Sequence, residues 1–253
     1  MTNAPSPWRV AHLGRVAYGE ALALQRRLVA ARAAGALGRD VVLFVEHPPV
    51  FTTGRRGGRE CLLVPEETIA ARGIALVAVE RGGFITYHGP GQAVVYPILH
   101  LPQNGLGVAE LVSGLEEAMI RTAAAWGVAA GRDARNRGCW VGGKKIGSIG
   151  LAVRRGVSFH GLAFNVDLDL EPFSWIDPCG LAGVGVTSLA RESPRPVSLP
   201  AVERALERFL GEIFGRSWER VSRGDFEKEL VAWETAWEPR GGAPPPPAPS
   251  PPG

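Results

Sequence analysis
One thiol and one amine stand out in this 253-residue chain as groups able to make and pass on an acyl group. The thiol is Cys179, in Asp177-Pro178-Cys179-Gly180. There the proline fixes the entry to the turn, and the glycine allows a substrate to come close to the sulfur. An unpaired cysteine also serves as a small buried hydrophobe, so the turn by itself leaves both roles open. The amine is Lys145. The chain has 3 lysines against 25 arginines, and two of the three are adjacent, Lys144 and Lys145. In a chain that defaults to arginine, such a pair marks a place that needs a cation able to give up a proton near neutral pH. The run KIGSIGLAV alternates as a strand. Lys145 is expected to share an inward face with Gly147, Ile149 and Leu151, while Lys144 points to solvent. Burial lowers a lysine pKa, and a thiol beside it gains thiolate character.

Other reactive side chains are less distinctive. His88 and His160 are each followed by glycine, which exposes the imidazole, and either could act as a base toward Cys179 or simply form a wall. Five dispersed histidines without HxH or HxxxH spacing make no metal site, and no cofactor is expected. Cys61 and Cys139 lie in apolar strand patterns and read as core. GRRGGR at 54–59 resembles a glycine-rich phosphate loop but lacks GxxxxGK[ST], and reads as a basic loop.

Composition narrows the classes. Hydrophobic residues make up 45% and charged residues 21%, as in a globular protein. No apolar run is long enough to span a bilayer, and the N-terminus lacks a secretory pattern. A net charge of +3 is too small to argue for nucleic acid. Three scattered cysteines make no disulfide framework, which places the chain in the reducing cytoplasm.

The elements that must position these groups follow from periodicity. Strands are expected at 8–13, 41–46, 50–53, 74–80, 139–141, 145–153 and 157–166. Helices are expected at 17–34, 65–72, 107–128, 199–214 and 225–236. The glycine-rich stretch 81–101, RGGFITYHGPGQAVVYPILHL, reads as a hairpin or a corner. Strands in the middle and helices outside them predict an α+β fold, a mixed sheet covered by helices on one face. One domain is expected over 1–240, followed by a Pro-rich disordered tail at 241–253.

Four blocks, taken in order, resemble the lipoyl(octanoyl) transferase family: EHPPVFTTGRR (46–56), RGGFITYHGPGQAVVYPI (81–98), KKIGSIGLAV with VSFHGLAFNVDLDL (144–170), and PCGL (178–181). The resemblance implies a fold similar to the biotin protein ligases and lipoate ligases, a mixed sheet with packed helices. It implies an acyl-thioester nucleophile at Cys179 and a lysine that activates it at Lys145. Contacts to the acyl group fall on Arg81, Gly82, Gly83, Phe84, Ile85, Thr86, Tyr87 and His88. Further contacts fall on Ser148, Ile149 and Gly150, and on Gly161, Leu162 and Ala163. Phe84 stands where a polar or charged residue is frequent in such proteins.

The implied activity is ATP-independent transfer of an octanoyl or lipoyl group from acyl carrier protein to a lysine. That lysine belongs to the lipoyl domain of a 2-oxoacid dehydrogenase or to the glycine cleavage H protein. His88 would be a further donor to the oxyanion. The rival readings are an ATP-dependent lipoate or biotin ligase on the same fold, a thiol hydrolase using His88 or His160, and a non-catalytic acyl-binding protein.

Overall fold
The computed structural model describes residues 5–177 and 184–236. Cys179 and the Pro-rich tail, 241–253, lie outside the described residues. In chain order the strands are β1 (Trp8–Arg15), β2 (Val41–Glu46), β3 (Val50–Thr53), β4 (Ala75–Ala78), β5 (Thr86–His88) and β6 (Gln92–Ile98). They continue as β7 (Gly131–Asp133), β8 (Asn136–Val141), β9 (Lys144–Arg154), β10 (Val157–Asn165) and β11 (Trp218–Arg220). The helices are α1 (Tyr18–Ala33), α2 (Glu66–Ala71), α3 (Val108–Ala125), α4 (Leu189–Glu192), α5 (Leu199–Phe214) and α6 (Arg223–Ala236). No described helix is long and apolar enough to cross a membrane.

Eight strands form one mixed sheet in the order β11-β1-β2-β6-β10-β9-β8-β7, parallel from β11 to β2 and antiparallel beyond. Helices cover both of its faces, not the single face expected. The apolar run of β2 shows why: Val42 and Phe44 face a core built with α3 and α5, while Val41, Leu43 and Val45 face another built with α1 and α6. A strand apolar on both sides needs cover on both sides. The helical stripes match the pattern in the sequence, with Leu111, Leu115, Met119 and Ala123 of α3 on one face and Ala21, Leu24, Leu28 and Ala31 of α1 on the other.

The stretch 81–101 is a corner and not a hairpin. β5 belongs to a second sheet, β4-β3-β5, whereas β6 is central in the large one. The chain therefore changes sheets between His88 and Gln92. This second sheet covers its own apolar cluster of Phe51, Ile85, Tyr87, Phe173 and Trp175. The edge strands β7 and β11 are three residues each, too short to leave a periodic signal. Cys61 closes a 3₁₀ turn, Arg59–Cys61, instead of lying in a strand.

Candidate active site
Lys145 is buried, with 7% of its surface exposed, and Lys144 is exposed, as alternation predicts. The phase of the strand nevertheless differs from the expected one. Cys139 pairs with Gly147 but Trp140 pairs with Lys145, so Ile146 is an extra residue bulged out of β9. Ile146 sits in the core under α3, and a Cβ on Gly147 would run into Met119, Phe164 and Cys139 there. Lys145 is thereby shifted onto the other side, where it lines one cleft with Ser148 and Gly150. Its neighbours hold it closely. Its Nζ lies 5.2 Å from the centre of the Trp140 ring, and Trp140 Nε1 is anchored on the Asn136 carbonyl at 3.1 Å. Its backbone N–H donates to Gly185 O (2.9 Å) and its carbonyl accepts from Thr187 N–H (3.0 Å).

The cleft occupies about 680 Å³ measured out to bulk solvent, between β9–β10 and the 81–88 stretch. Most of the residues expected to contact an acyl group line it: Arg81, Gly82, Gly83, Phe84, Ile85, Thr86, His88, Ser148, Ile149, Gly150, Gly161, Leu162 and Ala163. The two walls meet closely. Gly82 N–H donates to Leu151 O (2.9 Å), and a Cβ on Gly150 would lie 2.9 Å from Gly82 O and 3.0 Å from Arg81 Cδ. Only a residue without a side chain permits that approach.

Tyr87 is the exception. In β5 the side chains alternate, so Thr86 and His88 face the cleft while Tyr87 packs on Phe51 (5.3 Å) and Phe173 (5.6 Å) in the second core. Its ring is thus turned away from the cleft that its neighbours line.

Arg81 is buried, and its guanidinium donates to Thr52 Oγ1 (2.9 Å), Thr52 O (2.5 Å) and Gly82 O (3.0 Å). Burial holds its pKa below the ordinary arginine value. His88 Nδ1 donates to Gln92 Oε1 at 2.8 Å. That amide is oriented by its Nε2, which donates to Asn165 Oδ1 (3.0 Å) and Tyr87 O (3.2 Å). The remaining nitrogen, Nε2, faces Thr52 Oγ1 at 3.4 Å as an acceptor. Burial pushes the His88 pKa down to about 3. His88 is therefore a neutral wall residue with no N–H to offer an oxyanion.

His160 is likewise held neutral by burial, with a pKa near 4. The β6–β10 register places Pro97 opposite it, which removes a ladder donor. His160 takes the left-handed backbone (φ 54°) there, and its N–H turns to Gln25 Oε1 (2.8 Å).

Sequence reasoning passed over Tyr18, Val94, Tyr96 and Asn136, which also line the cleft, as does Arg56 at the end of the 46–56 block. Tyr96 and Val94 lie within the recognised 81–98 block, and their alternation along β6 is the signal that could have found them. Tyr18 opens α1 with no local mark of a site. The core assignment of the other thiols stands: burial raises the Cys139 pKa to about 12 and raises that of Cys61 as well.

This sheet, with helices on both faces, has the fold of the lipoate-protein ligases. The putative lipoate protein ligase of T. acidophilum, solved with bound lipoic acid, superposes with a TM-score of 0.71 at 18% identity, over 91% of this chain and 95% of that one. A lipoate-protein ligase A bound with ATP gives 0.72 at 18% identity, over 90% and 94%. Residues 17–211 match the family of the lipoyl protein ligase A/B catalytic domain. The octanoyltransferase of Desulfotalea psychrophila is 53% identical over 205 residues, 80% of this chain and 92% of that protein. That of Syntrophobacter fumaroxidans is 47% identical over 219 residues, 87% and 96%. The chain belongs to the lipoyl(octanoyl) transferase family.

Proposed function
We propose that this enzyme transfers an octanoyl or lipoyl group from acyl carrier protein to a lipoyl-domain lysine, through an acyl-thioester on Cys179. The observation that carries the reading is the placement of Lys145: a buried amine facing a cleft lined by the blocks that mark the family. Backbone bonds also tie Lys145 to Gly185 and Thr187, the stretch to which the chain returns after Cys179.

In the first half-reaction the Cys179 thiolate attacks the thioester carbonyl, the bond from that carbon to the carrier sulfur breaks, and Lys145 gives the leaving thiolate its proton. In the second, the acceptor lysine attacks the Cys179 acyl group and gives up its proton to Lys145, and Cys179 leaves as thiolate. Thioester to amide is downhill, so no ATP enters. The exposed Arg55, Arg56, Arg59, Arg154 and Arg155 suit an acidic carrier protein. Lipoyl domains of 2-oxoacid dehydrogenases or the glycine cleavage H protein are the acceptors, and the cytoplasm is the compartment.

Intact-mass measurement after incubation with octanoyl-acyl carrier protein tests this. Wild type gains one octanoyl mass and loses it to an added lipoyl domain, and Cys179→Ser does not. Lys145→Arg keeps the charge but cannot relay the proton near neutral pH, so acyl transfer falls by at least about a hundredfold. ATP–pyrophosphate exchange driven by free octanoate would overturn the assignment in favour of a ligase.

A further inference from the structure
The acyl reading of the cleft, on which this inference rests, does not say how deep an acyl chain can go. The strand ladder supplies a scale. Lys145 Cε lies against Gly138, and Gly138 pairs with Ser148, so the amine end of the side chain reaches the Ser148–Ala163–Val94 row. Leu151, three residues further along β9, pairs with His160. At about 3.3 Å per residue the two rows are about 10 Å apart. The rows between them are Ile149–Leu162 and Gly150–Gly161, and the glycine pair, with Ala163 beside Ser148 in the first row, leaves room for a chain between β9 and β10.

The second row is closed by rings. Tyr18 places its hydroxyl 3.4 Å from His160 Nδ1, stacks on His88 with ring centres 5.7 Å apart, and lies 5.1 Å from His47. His47 is itself fixed, Nδ1 donating to Val16 O and Nε2 accepting from the Tyr96 hydroxyl, both at 2.7 Å. Tyr18 is buried and packs on Leu22 and Val50. The end wall is therefore rigid.

An extended chain advances about 1.2 Å per bond, a third of the per-residue span of a backbone, so the seven bonds of an octanoyl group cover about 8–9 Å. That length matches the distance between the rows. We propose that the ring of Tyr18 is the stop that limits the acyl group to about eight carbons, which makes it a specificity-determining residue.

The test compares hexanoyl-, octanoyl-, decanoyl- and dodecanoyl-acyl carrier protein as donors to the full chain, following the rate of acyl mass gain on the enzyme. Tyr18→Val should raise the dodecanoyl-to-octanoyl rate ratio at least about tenfold, since two or more extra methylenes become buried. Tyr18→Phe keeps the ring and should keep the wild-type ratio. Tyr18→Trp thickens the wall and should move the preference toward hexanoyl; it carries the test if the valine variant does not fold. Unchanged ratios in Tyr18→Val and Tyr18→Trp, with normal octanoyl uptake by wild type, would overturn the stop while leaving the transferase reading intact. A cut-off lost equally in Tyr18→Phe would also overturn it. No acyl mass on wild type from any donor would overturn both.

Discussion

Gly138 and Lys145 are fitted to each other across the β8–β9 bulge. A Cβ on Gly138 would lie 2.9 Å from Lys145 Cε and would also run into the carbonyl oxygen of Gly147. The backbone of Gly138 has φ +137°, a conformation that a side chain strongly disfavours. The bulge that turns Lys145 into the cleft therefore depends on a residue with no side chain directly beneath the amine's stem.

Gly138→Ala tests that dependence. The methyl must displace either the Lys145 side chain or the β9 backbone, and a shift near 1 Å at a reacting group costs about a hundredfold in rate. Turnover should fall by that order, and strain at the positive φ should cost about 1 kcal/mol or more of stability. Urea unfolding and acyl transfer measured on the same preparation separate the two effects. A variant with wild-type turnover would show that the fit does not matter.

Glu116 of α3 holds Gly138 from below. It is buried, its Oε1 accepts the Gly138 N–H at 2.9 Å, and Oε2 lies 3.3 Å from Arg132 Nε. Glu116→Leu leaves a buried N–H without an acceptor, which costs about 1–3 kcal/mol. It should also lower turnover by loosening the strand that carries the glycine. Glu116→Gln keeps an acceptor oxygen and should recover most of the turnover. Equal loss in both variants would assign the effect to charge instead of to the hydrogen bond.

The three thiols should separate by reactivity. Cys61 and Cys139 are buried and burial keeps both protonated, Cys139 with its pKa pushed up to about 12. Thiolate is the reactive form, so iodoacetamide at neutral pH should label the native chain once, at Cys179. Peptide mapping reads the site, and pre-incubation with octanoyl-acyl carrier protein should protect it. Labelling of Cys139 before Cys179 would contradict the assignment.

Much of this site is legible in the order of the residues alone. Strand alternation sends Lys145 inward, and the run of β2 announces a strand buried on both sides. What escapes such a reading comes from outside the local pattern. The bulge at Ile146 changes which residues share a face with Lys145, and nothing in KIGSIGLAV marks an extra residue in one strand of a pair. Tyr87 sits among residues that line the cleft, and only the pairing of β5 with β3 turns its ring the other way. Tyr18 and Tyr96 are brought together by the packing of α1 on the sheet, across 78 positions of sequence, and no short motif encodes that distance.

Buried histidines give the fold a pH limit. His47 and His160 have pKa values near 4, and His88 near 3, each lowered first by burial. All three lie below the unfolded value of about 6.5, so between these limits the unfolded chain binds protons that the folded one does not. Their contribution to stability is complete above pH 6.5 and is lost as pH falls toward 4. Each contributes a slope of up to about 1.4 kcal/mol per pH unit within that window. His12 acts in the opposite sense. Its hydrogen bond to Glu203 raises its pKa, so its stabilisation is present below 6.5 and lost as pH rises through the raised value. Since it is exposed and stands alone against three buried rings, the net slope keeps the sign of the buried set. Glu46 and Glu80, with lowered pKa values, add to the loss only below about 4.5. The urea midpoint should therefore drop steeply from pH 6.5 to 5. Replacing His47 by Gln should flatten that drop, whatever it does to stability at pH 7. A midpoint that stayed level to pH 5 would mean that these rings are not buried as neutral bases.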